Sequence, residues 1–113
     1  LVSSFKSQYE GYKLEDQQLQ NIESLLDPNT FTVTTGHQLC LATGPVYFLY
    51  KILTTVRLAE ELKKAYPQNN FVPVFWMATE DHDFAEINHF YLWGKKIEIP
   101  GSFSCPAGRI PAS

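Results

Sequence analysis

Phe31-Thr32-Val33-Thr34-Thr35-Gly36-His37-Gln38, followed later by Val72-Pro73-Val74-Phe75-Trp76-Met77-Ala78-Thr79-Glu80-Asp81-His82-Asp83, decides the fold of this chain. Each stretch is a β-branched or apolar run, short enough for a strand, that gives way to polar residues able to do chemistry. The first strand is expected over 31–35, with Gly36 ending it. The second is a continuous apolar run over 72–77, the pattern of a strand covered on both faces, with Pro73 at its start or at a bulge.

Between them, Gly44-Pro45 suits the start of a helix, because proline at the first helical position lacks only a hydrogen that would have gone unpaired. Leu49, Ile52, Leu53, Val56, Ala59 and Leu62 recur on one face, and Tyr66-Pro67 closes the helix. A strand, a crossover helix and a second strand of one sheet run parallel and right-handed. The residues after both strands therefore share one rim, outside the carboxyl ends where parallel sheets hold ligands.

Upstream, Leu19, Ile22, Leu25 and Leu26 mark an amphipathic helix within 14–26, stopped by Asp27-Pro28-Asn29. Phe5, Tyr9 and Tyr12 mark a shorter helical turn ending near Gly11. Downstream, 84–87 reads as one helical turn, and 89–93 with 95–99 as a hairpin around Gly94. The expected class is α/β: a βαβ unit with parallel strands, preceded by an amphipathic helix. It divides into a helical segment, 1–30, and a partial core domain, 31–113. A start at Leu1 and an irregular run from Cys105 to Ser113 suggest a piece of a longer protein.

With 113 residues, 44% of them hydrophobic and 19% charged, the chain has the composition of one globular domain. A net charge of −3 with dispersed lysines and arginines leaves no footprint for nucleic acid or an anionic membrane. No apolar run approaches the roughly 20 residues of a membrane span, so a soluble cytoplasmic protein is expected. Cys40 and Cys105 belong to no metal or disulfide pattern and read as reduced thiols, Cys40 as an inert one. Trp76, Phe90, Tyr91 and Trp93, without interleaved basic residues, read as core rather than as a stacking platform.

The candidate chemistry lies in the two polar stretches. Gly36 and Gly44 would let backbone approach a ligand, and the amides at the start of the following helix attract a phosphate or carboxylate. The spacing is neither a Walker loop nor GxGxxG, and glycines also serve plain turns. His37 and Gln38 would add an imidazole and an amide. Glu80, Asp81 and Asp83 crowd three carboxylates around His82, a repulsive arrangement that needs water, a cation or hydrogen bonds to offset it. General-base work, magnesium binding and loop capping all fit, with Asp83 best suited to cap 84 onward. A zinc site from His37, Asp81 and His82 or His89 is disfavoured, since adjacent residues of an extended loop point apart, and no metal ligands are assigned.

Thr34-Thr35-Gly36-His37-Gln38, Thr43-Gly44-Pro45, Tyr50-Lys51, the run from Pro73 to Glu86 and Gly108-Arg109-Ile110-Pro111, in this order, give the chain a resemblance to the BshC family, the cysteine ligases of bacillithiol biosynthesis. The likeness covers 32–111 and is weak over 1–30. It implies a Rossmann-like core resembling nucleotidyltransferases, in a protein several times longer that dimerises through a carboxyl-terminal coiled coil. It implies a ligase that joins the carboxyl group of cysteine to the amine of glucosaminyl-malate, with ATP as activator, and a chain that is inactive by itself; Mg2+ enters only through the acidic run of 80–83, as one of its open readings. Gly36, His37, Gln38, Thr43 and Gly44 would then line one side of a cleft, and Glu80, Asp81, His82 and Asp83 the other. Asp81, His82 and His37 would be its catalytic residues. Members often carry Gln-Gln where this chain has His37-Gln38, and His37 lacks the HxGH spacing of nucleotidyltransferases. The alternative is a non-catalytic domain that binds a nucleotide or an anionic metabolite.

Overall fold

The computed structural model describes residues 1–41 and 44–110. Thr43, expected to bind ligand, and Pro111 lie outside the described residues. In chain order the elements are α1 (Val2–Gln8), α2 (Asp16–Ser24), β1 (Thr30–Gln38), α3 (Val46–Ala65), β2 (Asn70–Ala78), α4 (Phe84–Ile87), β3 (His89–Leu92), β4 (Lys95–Glu98) and a closing 3-10 turn (Ala107–Arg109). β1 and β2 pair in a parallel two-stranded sheet, with α3 as the crossover between them. β3 and β4 form an antiparallel hairpin with Phe90 opposite Ile97 and Leu92 opposite Lys95.

The chain separates into two compact units, 1–33 with 55–74 and 34–54 with 75–113, so that β1, α3 and β2 each contribute to both. In the first unit, α2 starts with a capping box in which Glu15 and Gln18 satisfy each other's backbone amides. Its Ile22 is buried, as are Thr55 and Ala59 of α3 and Val72 of β2. Phe71 stacks on Phe31 with ring centres 5.9 Å apart. Lys63 donates to the carbonyls of Pro67 and Asn69 and to Asn70 Oδ1, closing the turn from α3 into β2.

In the second unit, Phe48 of α3 packs edge-on against both Phe75 and His37, at 5.2 Å and 5.6 Å. Asn88, only 5% exposed, ties α4 to the hairpin. Its side-chain amide donates to Glu98 Oε1 and to the Ile99 carbonyl, and its own carbonyl accepts from the Ile99 amide. The hairpin turn places Trp93 at φ 51° and Gly94 at φ 75°, the left-handed pair that a two-residue connection requires.

Several expectations need correction. β1 does not stop at Gly36 but runs through it to Gln38. A Cβ at Gly36 would stand 3.0 Å from the Trp76 carbonyl oxygen and 3.1 Å from Trp76 Cβ. The glycine therefore admits the neighbouring strand and does not form a turn. Pro73 is the fourth residue of β2, neither at its start nor at a described bulge. Among the described residues β2 has one neighbour in its sheet, and a strand edge without a partner tolerates the missing N–H.

The apolar face of α3 is only partly turned inward: Leu49, Leu53 and Val56 are exposed, whereas Thr55 and Ala59 are buried. β2 is not covered on both faces, since the successive residues Trp76 and Met77 are both exposed. Trp76, Tyr91 and Trp93 are not core, the last being 93% exposed, and Phe90 is only half-buried. Two strands and one long helix offer too little surface to cover them.

Candidate functional site

The continuation of β1 through Gly36 makes His37 and Gln38 the last residues of a strand, where successive side chains leave on opposite faces. Gln38 turns toward the segment after β2. Its Nε2 donates to Asp81 Oδ2 at 2.7 Å and to Glu86 Oε2 at 3.1 Å, so one amide holds two carboxylates. His37 turns toward the start of α3, against Phe48 and Tyr47. Its Nδ1 lies 3.1 Å from the Gln38 carbonyl, a contact that the tautomer protonated at Nδ1 satisfies.

Cys40 Sγ sits 3.5 Å from His37 Nδ1. Burial pushes the Cys40 thiol up, which keeps it protonated and a poor nucleophile. Gly44 adopts φ +68°, and a Cβ there would meet Cys40 Cβ at 2.8 Å, so the turn into α3 is built around a residue without a side chain. Lys51 donates to the Gly36 carbonyl at 2.8 Å and lies over the Tyr47 ring, pinning α3 to the end of β1.

After β2 the chain folds on itself. Asp81 Oδ1 accepts from the Asp83 amide at 2.9 Å, and Asp83 Oδ1 accepts from the Glu86 amide at 3.3 Å, capping α4. The Asp83 amide first, and the Gln38 side chain second, hold the Asp81 carboxyl below its ordinary value. Glu80 and His82 are exposed beside it. Crowded carboxylates are thus relieved by donors from the backbone and from Gln38.

The tail completes this rim. The Ala107 amide donates to the Asp81 carbonyl at 2.7 Å and the Gly108 amide to the Thr79 carbonyl at 2.9 Å. A Cβ on Gly108 would stand 2.7 Å from Thr79 Cβ, so only glycine lets this turn dock.

Of the residues expected from the sequence, the structure joins Gln38 to Asp81 and links Asp83 to the same turn. His37 faces the opposite side of β1, and His82 and Glu80 stand apart from the Gln38 bridge. Glu86 joins this site although it lies outside the polar run of 80–83. Its position three residues after a capping Asp was a readable signal for the α4 cap, but its meeting with Gln38 is tertiary. No sequence signal announced that Lys51 would bond Gly36.

Among the described residues no three His, Cys, Asp or Glu side chains converge as a metal-binding group. Magnesium is held elsewhere by one or two carboxylates completed by ligand phosphates, and Asp81 and Glu86 fit that donor set. The start of α3 after Gly44-Pro45 is an end at which backbone amides favour an anion. A nucleotide phosphate with its cation is therefore compatible with the groups present.

A parallel βαβ unit with its polar groups at the strand carboxyl ends defines a Rossmann-like α/β domain. The family described as "Bacillithiol biosynthesis BshC, N-terminal Rossmann-like domain" matches residues 1–111, and the chain belongs to it. It is 56% identical over 110 residues to a Flavobacterium johnsoniae protein named "Putative cysteine ligase BshC", covering 97% of this chain and 21% of that one. A Cytophaga hutchinsonii protein of the same name is 57% identical, again over 97% and 21% of the two chains. One from a Geobacillus species is 40% identical over 81% of this chain and 17% of its own. The chain thus spans about a fifth of the length of the curated relatives it matches. Among the described residues no helix is long and apolar enough to cross a membrane.

Proposed function

We propose that the parent protein is a cytoplasmic cysteine ligase that makes an amide between the carboxyl group of cysteine and the amine of glucosaminyl-malate, the last step of bacillithiol synthesis. The reading rests on family membership together with one observation: Gln38, at the end of β1, draws Asp81 and Glu86 of the post-β2 segment to the strand carboxyl ends. Residues 31–113 serve as the first part of its core, and the whole protein is a homodimer that uses its longer remainder.

ATP with magnesium supplies the activated carboxyl when bound. The chain's own contribution is to bind and orient. Asp81 and Glu86 offer oxygens to a cation, and the start of α3 offers backbone amides to an anion. Gln38 donates to both carboxylates and offsets part of their mutual repulsion. A carboxylate held low is a weak base, so Asp81 is better suited to holding a cation than to taking the proton of the attacking amine. His82, exposed on the same segment, is the better candidate for that proton.

The test is mass-spectrometric detection of bacillithiol from the full-length parent with cysteine, glucosaminyl-malate, ATP and magnesium, against a control lacking ATP. Product that needs ATP, and that falls by about a hundredfold or more in Asp81→Asn with the fold intact, is the expected result. Binding of nucleotide or substrate without product under any nucleotide or metal would instead identify an anionic-metabolite-binding domain.

A further inference from the structure

The turn Ala107–Arg109 is stapled to the post-β2 segment by two backbone hydrogen bonds, Ala107 to Asp81 and Gly108 to Thr79, and by a glycine contact that admits no side chain. A backbone held this firmly positions the residue that follows, and that residue is Arg109. Its side chain is exposed. Among the described residues its guanidinium has no ion pair, hydrogen bond or aromatic partner.

That is informative because acids are abundant in the segment it docks on. Glu80, Asp81, Asp83 and Glu86 are all there, yet none pairs with it. The second unit has only three other cations. Lys51 is bound to the Gly36 carbonyl, and Lys95 and Lys96 belong to the hairpin, Lys96 paired with Glu98. The backbone that carries Arg109 is anchored on this rim, and its guanidinium is free to meet an anionic ligand there.

We infer that Arg109 is an anion-binding residue of this site and contacts a carboxylate or phosphate group of the ligand. The fork of five N–H donors suits either group through two parallel hydrogen bonds, which lysine cannot reproduce. The inference rests on the ligase reading only for the identity of the ligands, in which a carboxylate belongs to glucosaminyl-malate and a phosphate to ATP.

The experiment uses the full-length parent, titrated calorimetrically with glucosaminyl-malate and separately with ATP and magnesium, as wild type, Arg109→Met and Arg109→Lys. Arg109→Met should weaken one of the two by about tenfold or more, with Arg109→Lys intermediate and the unfolding temperature unchanged. Loss confined to glucosaminyl-malate assigns a carboxylate, and loss confined to ATP assigns a phosphate. Phenylglyoxal labelling of Arg109 in the unaltered protein, mapped by peptide mass with and without each ligand, gives the same answer without a variant. Unchanged affinities with no protection overturn the inference, as does a wild type that binds neither anion. Arg109-dependent binding without bacillithiol formation would overturn the ligase reading alone.

Discussion

Gln38 and Asp81 show how a single hydrogen bond changes what a carboxylate can do. The donors on Asp81 stabilise its charged form, so its carboxyl titrates below the usual range in the folded chain. A group depressed in this way contributes stability above its unfolded pKa, and that contribution is lost as the pH falls through the folded pKa. The Asp81 carboxyl resonance should therefore titrate in the acid range below an ordinary aspartate, and the Gln38 side-chain amide signals should move with it. In Gln38→Leu the Asp81 midpoint should rise only partway, because the Asp83 amide is the larger cause. A midpoint fully restored to the ordinary value, or Gln38 signals indifferent to it, would separate the two residues. Asp81 and Asp83 were both visible in the sequence as a costly cluster, and the capping role of Asp83 was readable from its place before 84–87. Which donors relieve Asp81 was not readable, since Gln38 reaches it across the sheet.

At the level of elements, the hydrogen bonds of Asn88 tie α4 to the hairpin. Its side-chain amide makes two hydrogen bonds in a nearly water-free position. Asn88→Ala removes both donors and leaves acceptors on Glu98 and Ile99 without them, which should cost about 1–3 kcal/mol. The check is chemical denaturation of the full-length parent, with amide exchange across 89–98 rising more than elsewhere. A uniform rise, or none, would show that the hairpin is held by something else. β1 is instructive for the opposite reason. Its β-branched run was legible, but its length was not, because a glycine ordinarily marks an end and here marks contact with Trp76. The hairpin itself was legible from Gly94, although Trp93 also takes a left-handed φ that bulky residues avoid.

For the molecule as a whole, the exposed apolar surface is the main departure from expectation. Leu53 of α3 is 65% exposed, and Leu49, Trp76 and Met77 are exposed as well. Relatives about five times longer carry enough further chain to cover such surface. Leu53→Lys should therefore improve the solubility of this chain made by itself, since it removes apolar area from a water-facing site. In the full-length parent the same change should lower stability by about 2–4 kcal/mol, the cost of placing a charge where a leucine is buried. Sedimentation of the short chain and thermal unfolding of the long one measure the two effects. An unaffected full-length protein would mean that Leu53 stays in water there too.

The alternation of apolar and polar runs, with Gly44-Pro45 before a helical stretch, was enough to determine the βαβ order, and the ordered motifs from Thr34 to Ile110 were enough to indicate the family. These are local properties, set by propensity, periodicity and the sequence of elements along the chain. Only the tertiary structure decided that Gly36 and Gly108 are points of close approach, that Gln38 and not His37 faces Asp81, and that Arg109 is held beside the same segment. Those outcomes depend on which residues distant in sequence meet, and no local pattern encodes that distance.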